Sequence, residues 1–309
     1  MGNIIQALQK NQFSYSKIKE ESYINILNNE YCDINVIIGF KGRKEFWEPI
    51  ISSFQKAFDY YNKISPLQKT FCLTMVEHSE YQLARKWLDG KVNYIYTPGN
   101  VQDQYSRSFA YNFGVKYGTP ANYYLLHDLD ILVKENFFLE LYDNINHVTK
   151  GIDTICPYIQ SYGGRRVLYI SQELTRDVVK NVDLINSYKE GSTGITPPMY
   201  NGKLALGSKG GSILISKTSF DEIGGFDPEL FWGYAAEDQM LWEKLLAIDR
   251  KPIYADNPPI DMFHMWHPPT SASNPLLYQM EEYFLQFKSM SLEEKKQFIK
   301  LKAKLFHDE

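Results

Sequence analysis

The 309-residue sequence has no long apolar run, few cysteines and no excess of positive charge. No stretch approaches the ~18 to 20 apolar residues that a membrane-spanning helix requires, and the first ten residues lack the apolar segment of a signal peptide. The three cysteines, Cys32, Cys72 and Cys156, form no Cys-x-x-Cys pair, which excludes a disulfide scaffold and a zinc ribbon. These absences predict a protein of a reducing compartment, the cytoplasm.

The charge balance also limits the partners. Lys and Arg number 33 against 37 Asp and Glu, for a net charge of −4. A general nucleic-acid binder neutralises phosphates with an excess of cations, so no nucleic-acid partner is predicted. A phosphate-bearing small molecule remains allowed, because a few local cations or one metal ion can hold it.

The overall amino-acid composition is typical of a globular protein, with 44% apolar, 23% charged and 15% aromatic residues. Three segments are predicted: a helical appendage at residues 1–30, one main domain at 31–270 and a helical extension at 271–309.

Strands and helices alternate in the first half of the main domain. Short β-branched apolar runs predict strands at 34–40, 70–76, 92–96 and 123–126. Helical spacing of apolar residues predicts helices at 44–62, 81–88 and 104–116. This alternation predicts an α/β fold with a mostly parallel sheet, in which ligands bind beyond the carboxyl ends of the strands.

The second half is less regular. Residues 157–210 are rich in Gly, Ser, Pro and Tyr and are predicted to form long loops. A strand at 213–215 and helices at 237–248 and 291–306 follow.

Two carboxylates follow the fourth predicted strand in the pattern Asp128-x-Asp130. At a strand end they can hold a divalent cation together with phosphate oxygens, although a solvated turn has the same pattern. His264 and His267 are three residues apart beside Pro268, and two imidazoles on one turn can share a cation, whereas a single one would more often be a core residue. Imidazole together with carboxylate favours Mn²⁺ over Ca²⁺.

A second acidic pair, Glu237 and Asp238, opens a predicted helix after the aromatic loop that contains Trp232. The pair can match the helix dipole, or one carboxylate can act as a general base beside a bound sugar ring. Arg43 and Arg107 lie near a strand end and a helix start. Each can contact a phosphate or a base, or can form a surface ion pair.

In this order the motifs resemble a GT-A-fold glycosyltransferase, closest to the C-terminal region of β-1,4-galactosyltransferases and to bacterial chondroitin-polymerase-type transferases. The resemblance extends from about residue 34 to 269. It rests on Phe40-Lys41-Gly42-Arg43, on residues 105–114, on Asp128-Leu129-Asp130, on Gly210-Gly211-Ser212, on Gly224-Gly225-Phe226, on residues 232–238 and on His264-x-x-His267.

The resemblance implies a metal-dependent inverting transfer of a hexose, galactose or N-acetylgalactosamine, from a UDP-sugar to a hydroxyl of a glycan or glycolipid acceptor. Residues 31–130 would then form the nucleotide-binding half and 131–270 the acceptor-binding half. The implied cofactor is Mn²⁺ or Mg²⁺.

Roles for individual residues follow from the same resemblance. The implied metal ligands are Asp130, Asp128, His264 and His267. Asp238 would be the catalytic base, with Glu237 holding a hydroxyl of the acceptor or donor. The implied nucleotide-sugar contacts are Phe40, Arg43, Glu77, Arg107, Asp128 and Gly211. The implied acceptor contacts are Trp232, Tyr234 and Glu237, with Tyr234 in the place of the family's acceptor-stacking tryptophan.

Two other functions remain open from the sequence: a sugar-phosphate nucleotidyltransferase and a non-catalytic module that binds a nucleotide or a sugar. The basic C-terminal helix also has two interpretations. It can pack on the domain, or it can lie on anionic lipid with Phe298, Leu301, Leu305 and Phe306 facing the membrane. The second would make a peripheral membrane contact and suit a lipid-linked acceptor.

Overall fold

The computed structural model places most of the chain in defined positions. It describes residues 2–11, 14–27, 30–99, 105–147, 154–156, 167–197, 199–200, 203–204, 210–233, 235–255, 260–268 and 274–308.

The described residues contain strands and helices in alternation. The strands are β1 (Tyr23–Asn25), β2 (Cys32–Phe40), β3 (Phe71–Ser79), β4 (Asn93–Pro98), β5 (Ala121–Asp128), β6 (Ile131–Val133), β7 (Thr154–Cys156), β8 (Val167–Ile170), β9 (Ile195–Thr196), β10 (Met199–Tyr200), β11 (Lys203–Leu204), β12 (Ser212–Ser216), β13 (Ile253–Tyr254) and β14 (Met262–His264). The helices are α1 (Gly2–Lys10), α2 (Tyr15–Glu20), α3 (Trp47–Ile64), α4 (Arg85–Leu88), α5 (Arg107–Tyr117), α6 (Phe137–His147), α7 (Gln172–Lys180), α8 (Lys217–Ile223), α9 (Glu237–Ala247), α10 (Leu277–Ser289) and α11 (Leu292–Asp308).

The main sheet has eight strands in the order β1-β4-β3-β2-β5-β12-β7-β13. Its centre, β4-β3-β2-β5, is parallel, whereas β12 runs antiparallel to both β5 and β7. The central strands are nearly continuous apolar runs because helices cover them, with α5 packed on β2 and β3. The predicted mixed, mostly parallel α/β architecture is confirmed.

A second sheet, in the order β6-β14-β8-β9, begins where the chain leaves the main sheet. Strand β6 follows β5 after a two-residue turn and pairs antiparallel with β14. Strand β14 in turn pairs parallel with β8. The sequence patterns predict no second sheet, because its strands are short and come from distant parts of the chain.

Most predicted elements of the first half are present with shifted ends, but two predictions are wrong. Residues 81–84 are not helical, because the buried Glu77 carboxylate accepts hydrogen bonds from the backbone amides of Leu83 (3.0 Å) and Ala84 (3.1 Å). Only the single turn α4 remains of that helix. Residues 1–30 contain, besides α1 and α2, the strand β1, which pairs with β4 at the sheet edge.

The predicted long loops at 157–210 are also partly wrong. Residues 167–187 form β8, α7 and a 3₁₀ helix, and the apolar residues of α7 pack toward the core. Residues 157–166 lie outside the described part of the chain. The division into an appendage, two halves and an extension stays a prediction.

The C-terminal helix α11 is held by a buried ion pair. Lys302 Nζ lies 2.7 Å and 2.8 Å from the two carboxylate oxygens of Glu229, and both side chains are almost inaccessible. A second buried pair nearby joins Lys244 to Asp227 at 2.8 Å. These contacts fix α11 and α9 against the segment that leads to the 232–238 loop.

The packing of α11 also bears on the lipid interpretation. Phe298 and Phe306 are buried, and Leu301 and Leu305 pack against the same core. The four residues that would face lipid are therefore used in contacts within the protein, as the packing alternative predicts. Among the described residues, no helix is long and apolar enough to cross a bilayer.

Candidate metal and transfer site

The carboxyl end of β5 places Asp128 and Asp130 at the junction of the two sheets. Asp128 ends β5 in register with Gly39 of β2, and its amide donates to the Gly211 carbonyl at 2.8 Å. Asp130 then precedes β6 directly and is largely buried. The two carboxylates therefore point into different surroundings, although only one residue separates them.

Pairing of β6 with β14 brings a histidine to Asp130. His264 lies opposite Ile131, and the Asp130 carbonyl accepts from the Met265 amide at 2.8 Å. The chain then turns, so that His267 also reaches the carboxylate. Nε2 of His267 is 3.1 Å from Asp130 Oδ2, and Nε2 of His264 is 3.7 Å from Oδ1. One ligand atom from each of the three residues lies within 4.8 Å of the other two.

This cluster fits a divalent cation of the first transition row. The buried Nδ1 of His264 has no hydrogen-bond partner among the described residues, and Tyr169 of β8 stacks on the ring with 4.5 Å between centroids. Burial lowers the pKa of His264, so that its imidazole is neutral and can donate a lone pair. Two imidazoles and a carboxylate are ligands that suit Mn²⁺.

Opposing effects act on the other two members of the cluster. The hydrogen bond to Asp130 raises the pKa of His267. Burial works to raise the pKa of Asp130, but the hydrogen bond from His267 and the charges of His264 and Arg43 outweigh it, so the pKa is held well below its usual range. Asp130 is therefore ionised at neutral pH.

Arg43 supplies a positive charge at the same carboxylate. Its guanidinium forms an ion pair with Asp130 Oδ2, and Nη2 lies 3.5 Å from Nδ1 of His267. Arg43 has a left-handed backbone with φ of 52°, a conformation that non-glycine residues rarely adopt and that often marks functional sites. The turn after β2 thus directs the side chain back over the sheet edge. The predicted phosphate contact is available only if the guanidinium leaves this pair.

Arg107 joins Asp128 to the acidic pair of α9. Nη1 lies 3.0 Å and 2.9 Å from the two oxygens of Asp128, and Nη2 lies 2.6 Å from both Glu237 Oε1 and Asp238 Oδ2. Burial acts to lower the pKa of Arg107, but the three carboxylates outweigh it and raise the pKa. The surface ion pair considered from the sequence is in fact a partly buried network of four residues.

Tyr111, whose hydroxyl donates to Asp128 Oδ1 at 2.9 Å, is not among the site residues predicted from the sequence. Arg107 and Tyr111 are four residues apart on α5 and therefore share one helix face. That spacing was the signal that could have found Tyr111 beside Arg107.

Glu237 and Asp238 occupy the first turn of α9, where the helix dipole favours negative charge. Burial raises the pKa of Asp238 and raises that of Glu237 to about 7. Residue 210 must be glycine for this arrangement, because a Cβ there would lie 1.8 Å from Asp238 Oδ2. The Gly210-Gly211 motif thus makes room for the Asp238 carboxylate.

The remaining predicted site residues have varied surroundings. Phe40 is buried against Trp47, with 5.5 Å between ring centroids. Glu77 is also buried, and its carboxylate accepts a hydrogen bond from the Leu83 amide. Trp232 is half-buried near His78 and Phe109. Contacts of these three with a nucleotide or an acceptor stay predictions, and Tyr234 lies outside the described residues.

Comparisons with known proteins give weak similarities to glycosyltransferases. No model of a known protein family matches the sequence, and no curated protein is similar to it. Among solved structures, the catalytic domain of Drosophila β1,4-galactosyltransferase 7, in complex with xylobiose, is 11% identical with a TM-score of 0.45; the match covers 85% of this chain and 83% of that one.

Two further structures are similar at the same level. A mannosyltransferase from Pyrobaculum calidifontis, in complex with GDP-Man and Mn²⁺, is 12% identical with a TM-score of 0.46, over 98% of this chain and 78% of that one. Glucosyl-3-phosphoglycerate synthase from Mycobacterium tuberculosis, in complex with Mn²⁺, UDP and phosphoglyceric acid, is 10% identical with a TM-score of 0.46, over 84% and 80%. Similarities of this size assign no activity to this chain.

Proposed function

We propose that the chain is a metal-dependent, inverting glycosyltransferase with a GT-A fold. It moves a hexose from a UDP-sugar to a hydroxyl of a glycan or lipid-linked acceptor. Galactose or N-acetylgalactosamine is the proposed sugar, by resemblance alone, and polysaccharide or glycoconjugate synthesis the proposed setting.

The observation that carries the proposal is the meeting of Asp130, His264 and His267 at the end of β5. Arg107 connects this group, through Asp128, to a buried acid pair. A nucleotide-sugar has a diphosphate at one end of the reacting bond and an acceptor hydroxyl approaches from the other. The site accordingly offers a place for a cation, at Asp130, on one side of Arg107. The carboxylates of Glu237 and Asp238 lie on the other side of this arginine.

A divalent cation held by Asp130, His264 and His267 would act as a Lewis acid that stabilises charge on the departing diphosphate. Arg43 lies against the same carboxylate and can turn to a phosphate oxygen. Asp128 is the proposed ribose or metal contact. Phe40, Glu77 and Gly211 remain proposed contacts of the nucleotide side.

Asp238 is the proposed base that takes the proton from the acceptor hydroxyl as it attacks the anomeric carbon. Its raised pKa makes it a stronger base than an exposed carboxylate. Arg107 fixes its orientation, so that an acceptor meets a carboxylate already in place. Glu237, with a pKa of about 7, is protonated in part near neutrality and can hold a hydroxyl as donor or acceptor. Trp232 and Tyr234 are the proposed acceptor contacts.

The test uses the purified chain with Mn²⁺ and a panel of UDP-sugars, with and without simple glycan acceptors. Release of free UDP supports the proposal, whereas release of pyrophosphate in a coupled assay indicates a nucleotidyltransferase. Binding of UDP with no turnover of any donor indicates a non-catalytic module.

The variant Asp238→Asn tests the assigned base. We expect at least a ~100-fold loss of UDP release, with Mn²⁺-dependent UDP binding changed less than about twofold, because the amide keeps the shape of the carboxylate. The exposed Asp59 of α3 gives a matched control in Asp59→Asn. Transfer at the parental rate by Asp238→Asn would show that the base is another residue.

A further inference from the structure

Tyr105 has a buried hydroxyl for which the described residues offer no hydrogen-bond partner. An unpaired buried hydroxyl carries a desolvation penalty, so each such group in a folded protein requires an explanation. The hydroxyl lies over the carboxyl end of β2, where a Cβ added to Gly39 would be only 2.6 Å from it. Residue 39 must therefore be glycine for the phenol to occupy this place.

The rest of Tyr105 is fixed on both sides. Its carbonyl accepts a hydrogen bond from the Gly233 amide at 3.2 Å. The next residue, Ser106, caps α5 by accepting from the Phe109 amide at 3.2 Å. These contacts hold the backbone from which the phenol extends to the carboxyl end of β2.

The charges of four residues act on the pKa of this hydroxyl, namely Asp128, Arg107, Asp130 and Arg43. Tyr111 and Arg107 already donate to Asp128, while Arg43 and His267 contact Asp130. Burial, followed by the charge of Asp128, raises the pKa of Tyr105, so the phenol keeps its proton and is a hydrogen-bond donor at neutral pH. The two arginines nearby favour an acceptor that belongs to an anionic ligand.

We propose that Tyr105 is a ligand-binding residue whose hydroxyl donates a hydrogen bond to an oxygen of a bound nucleoside diphosphate. The assignment rests on the proposed function and adds to it a role for Tyr105, which opens the 105–114 motif but is not among the predicted contacts. Its position over Gly39, beside Arg43 and Arg107, places it on the nucleotide side rather than the acceptor side. The oxygen belongs either to the ribose or to the diphosphate, and the experiment distinguishes the two.

The variant Tyr105→Phe removes only the hydroxyl oxygen. Since that oxygen has no partner among the described residues, we expect the melting temperature to stay equal or to rise by a few degrees. We expect UDP to bind about 3- to 10-fold more weakly in the presence of Mn²⁺, as measured by calorimetry. A structural hydroxyl would give the opposite combination, a loss of stability with unchanged binding.

Two phenols serve as controls. Tyr94 donates to Glu77 in the buried core, so Tyr94→Phe should lower the melting temperature. The Tyr23 hydroxyl donates to Asp89 at a distance of 2.9 Å, and this contact lies away from the site. Tyr23→Phe should therefore leave UDP binding unchanged. The pair calibrates both measurements on this protein.

Ligand fragments then locate the oxygen. Weaker binding of uridine to Tyr105→Phe assigns the contact to the ribose, and weaker binding of inorganic pyrophosphate assigns it to the diphosphate. If the parent binds UDP and the variant binds UDP equally well, the Tyr105 inference is wrong while the proposed function stands. If the parent binds no nucleotide with Mn²⁺, the proposed function itself fails.

Discussion

Replacement of Arg43 by glutamine should make the free protein bind Mn²⁺ more tightly. The guanidinium of Arg43 contacts the same Asp130 oxygen that His267 approaches to 3.1 Å. A cation that coordinates Asp130 must therefore displace or repel the arginine. Glutamine removes the charge but keeps a polar chain of similar length, and it meets the left-handed backbone at residue 43 with a strain similar to that of arginine.

The size of the effect follows from the environment of the pair. The Asp130 side chain is 11% exposed and that of Arg43 is 28% exposed, so the interaction is only partly screened. A hydrogen bond to a charged group is worth roughly 1.5 to 3 kcal/mol. Because each 1.4 kcal/mol is a factor of ten, the Mn²⁺ dissociation constant of Arg43→Gln should fall about 10- to 100-fold.

Calorimetric titration of metal-free protein with Mn²⁺, in the absence of nucleotide, measures this directly. The affinity for UDP should change in the opposite direction. Arg43→Gln should bind UDP more weakly than the parent, because it has lost a cation that can contact phosphate. Arg250→Gln is the matched control, since Arg250 pairs with Glu222 at the surface, at 3.1 Å. An unchanged or weaker Mn²⁺ affinity in Arg43→Gln would refute the competition between arginine and metal.

Two further predictions concern stability. The pKa of Glu237 is raised from 4.5 in the unfolded chain to about 7, so the native state holds the extra proton between these values and unfolding releases it. The free energy of unfolding should therefore decrease by on the order of 3 kcal/mol as the pH rises from about 4.5 to 7. Urea denaturation across this pH range should show a flatter dependence for Glu237→Gln. An unchanged dependence would contradict the raised pKa of Glu237. Lys302→Met should lower the free energy of unfolding by about 3 to 5 kcal/mol, because it leaves Glu229 buried without its partner. The double variant Lys302→Met, Glu229→Leu should recover most of this loss. If the double variant lost as much stability as the single one, packing and not charge would dominate.

Sequence patterns predicted the central sheet well because its strands are uniformly apolar and separated by helices of clear periodicity. The region after β3 was mispredicted, because the carboxylate of Glu77, a residue within the preceding strand, holds the backbone of Leu83 and Ala84 out of a helix. Strand β1 was missed since three half-buried residues at a sheet edge have little apolar signal. Local patterns contain no information on such tertiary contacts.

The site was predicted in parts, but its connections were not. Asp130, His264 and His267 were selected by residue type and by resemblance, and the structure brings them together through the β6–β14 ladder, a pairing across about 130 residues that no local pattern encodes. Arg107 was selected too, but only the folded chain brings it to three carboxylates. Tyr105 lies in the 105–114 motif, but no contact was predicted for it, because a tyrosine before a helix has no distinctive signature.

The β6–β14 ladder has a consequence for how such a protein can diversify. The chain leaves this ladder after Val133 and returns to it at Met262. The two ends of the segment 134–261 therefore lie side by side next to the candidate metal cluster. The same segment includes β8, which pairs with β14, and β12, which pairs with β5, so Asp130 and His264 are expected to stay in register only under changes that keep these pairings. Insertions in this segment that avoid β8, β12 and the first turn of α9 are therefore the changes most compatible with an intact candidate metal cluster.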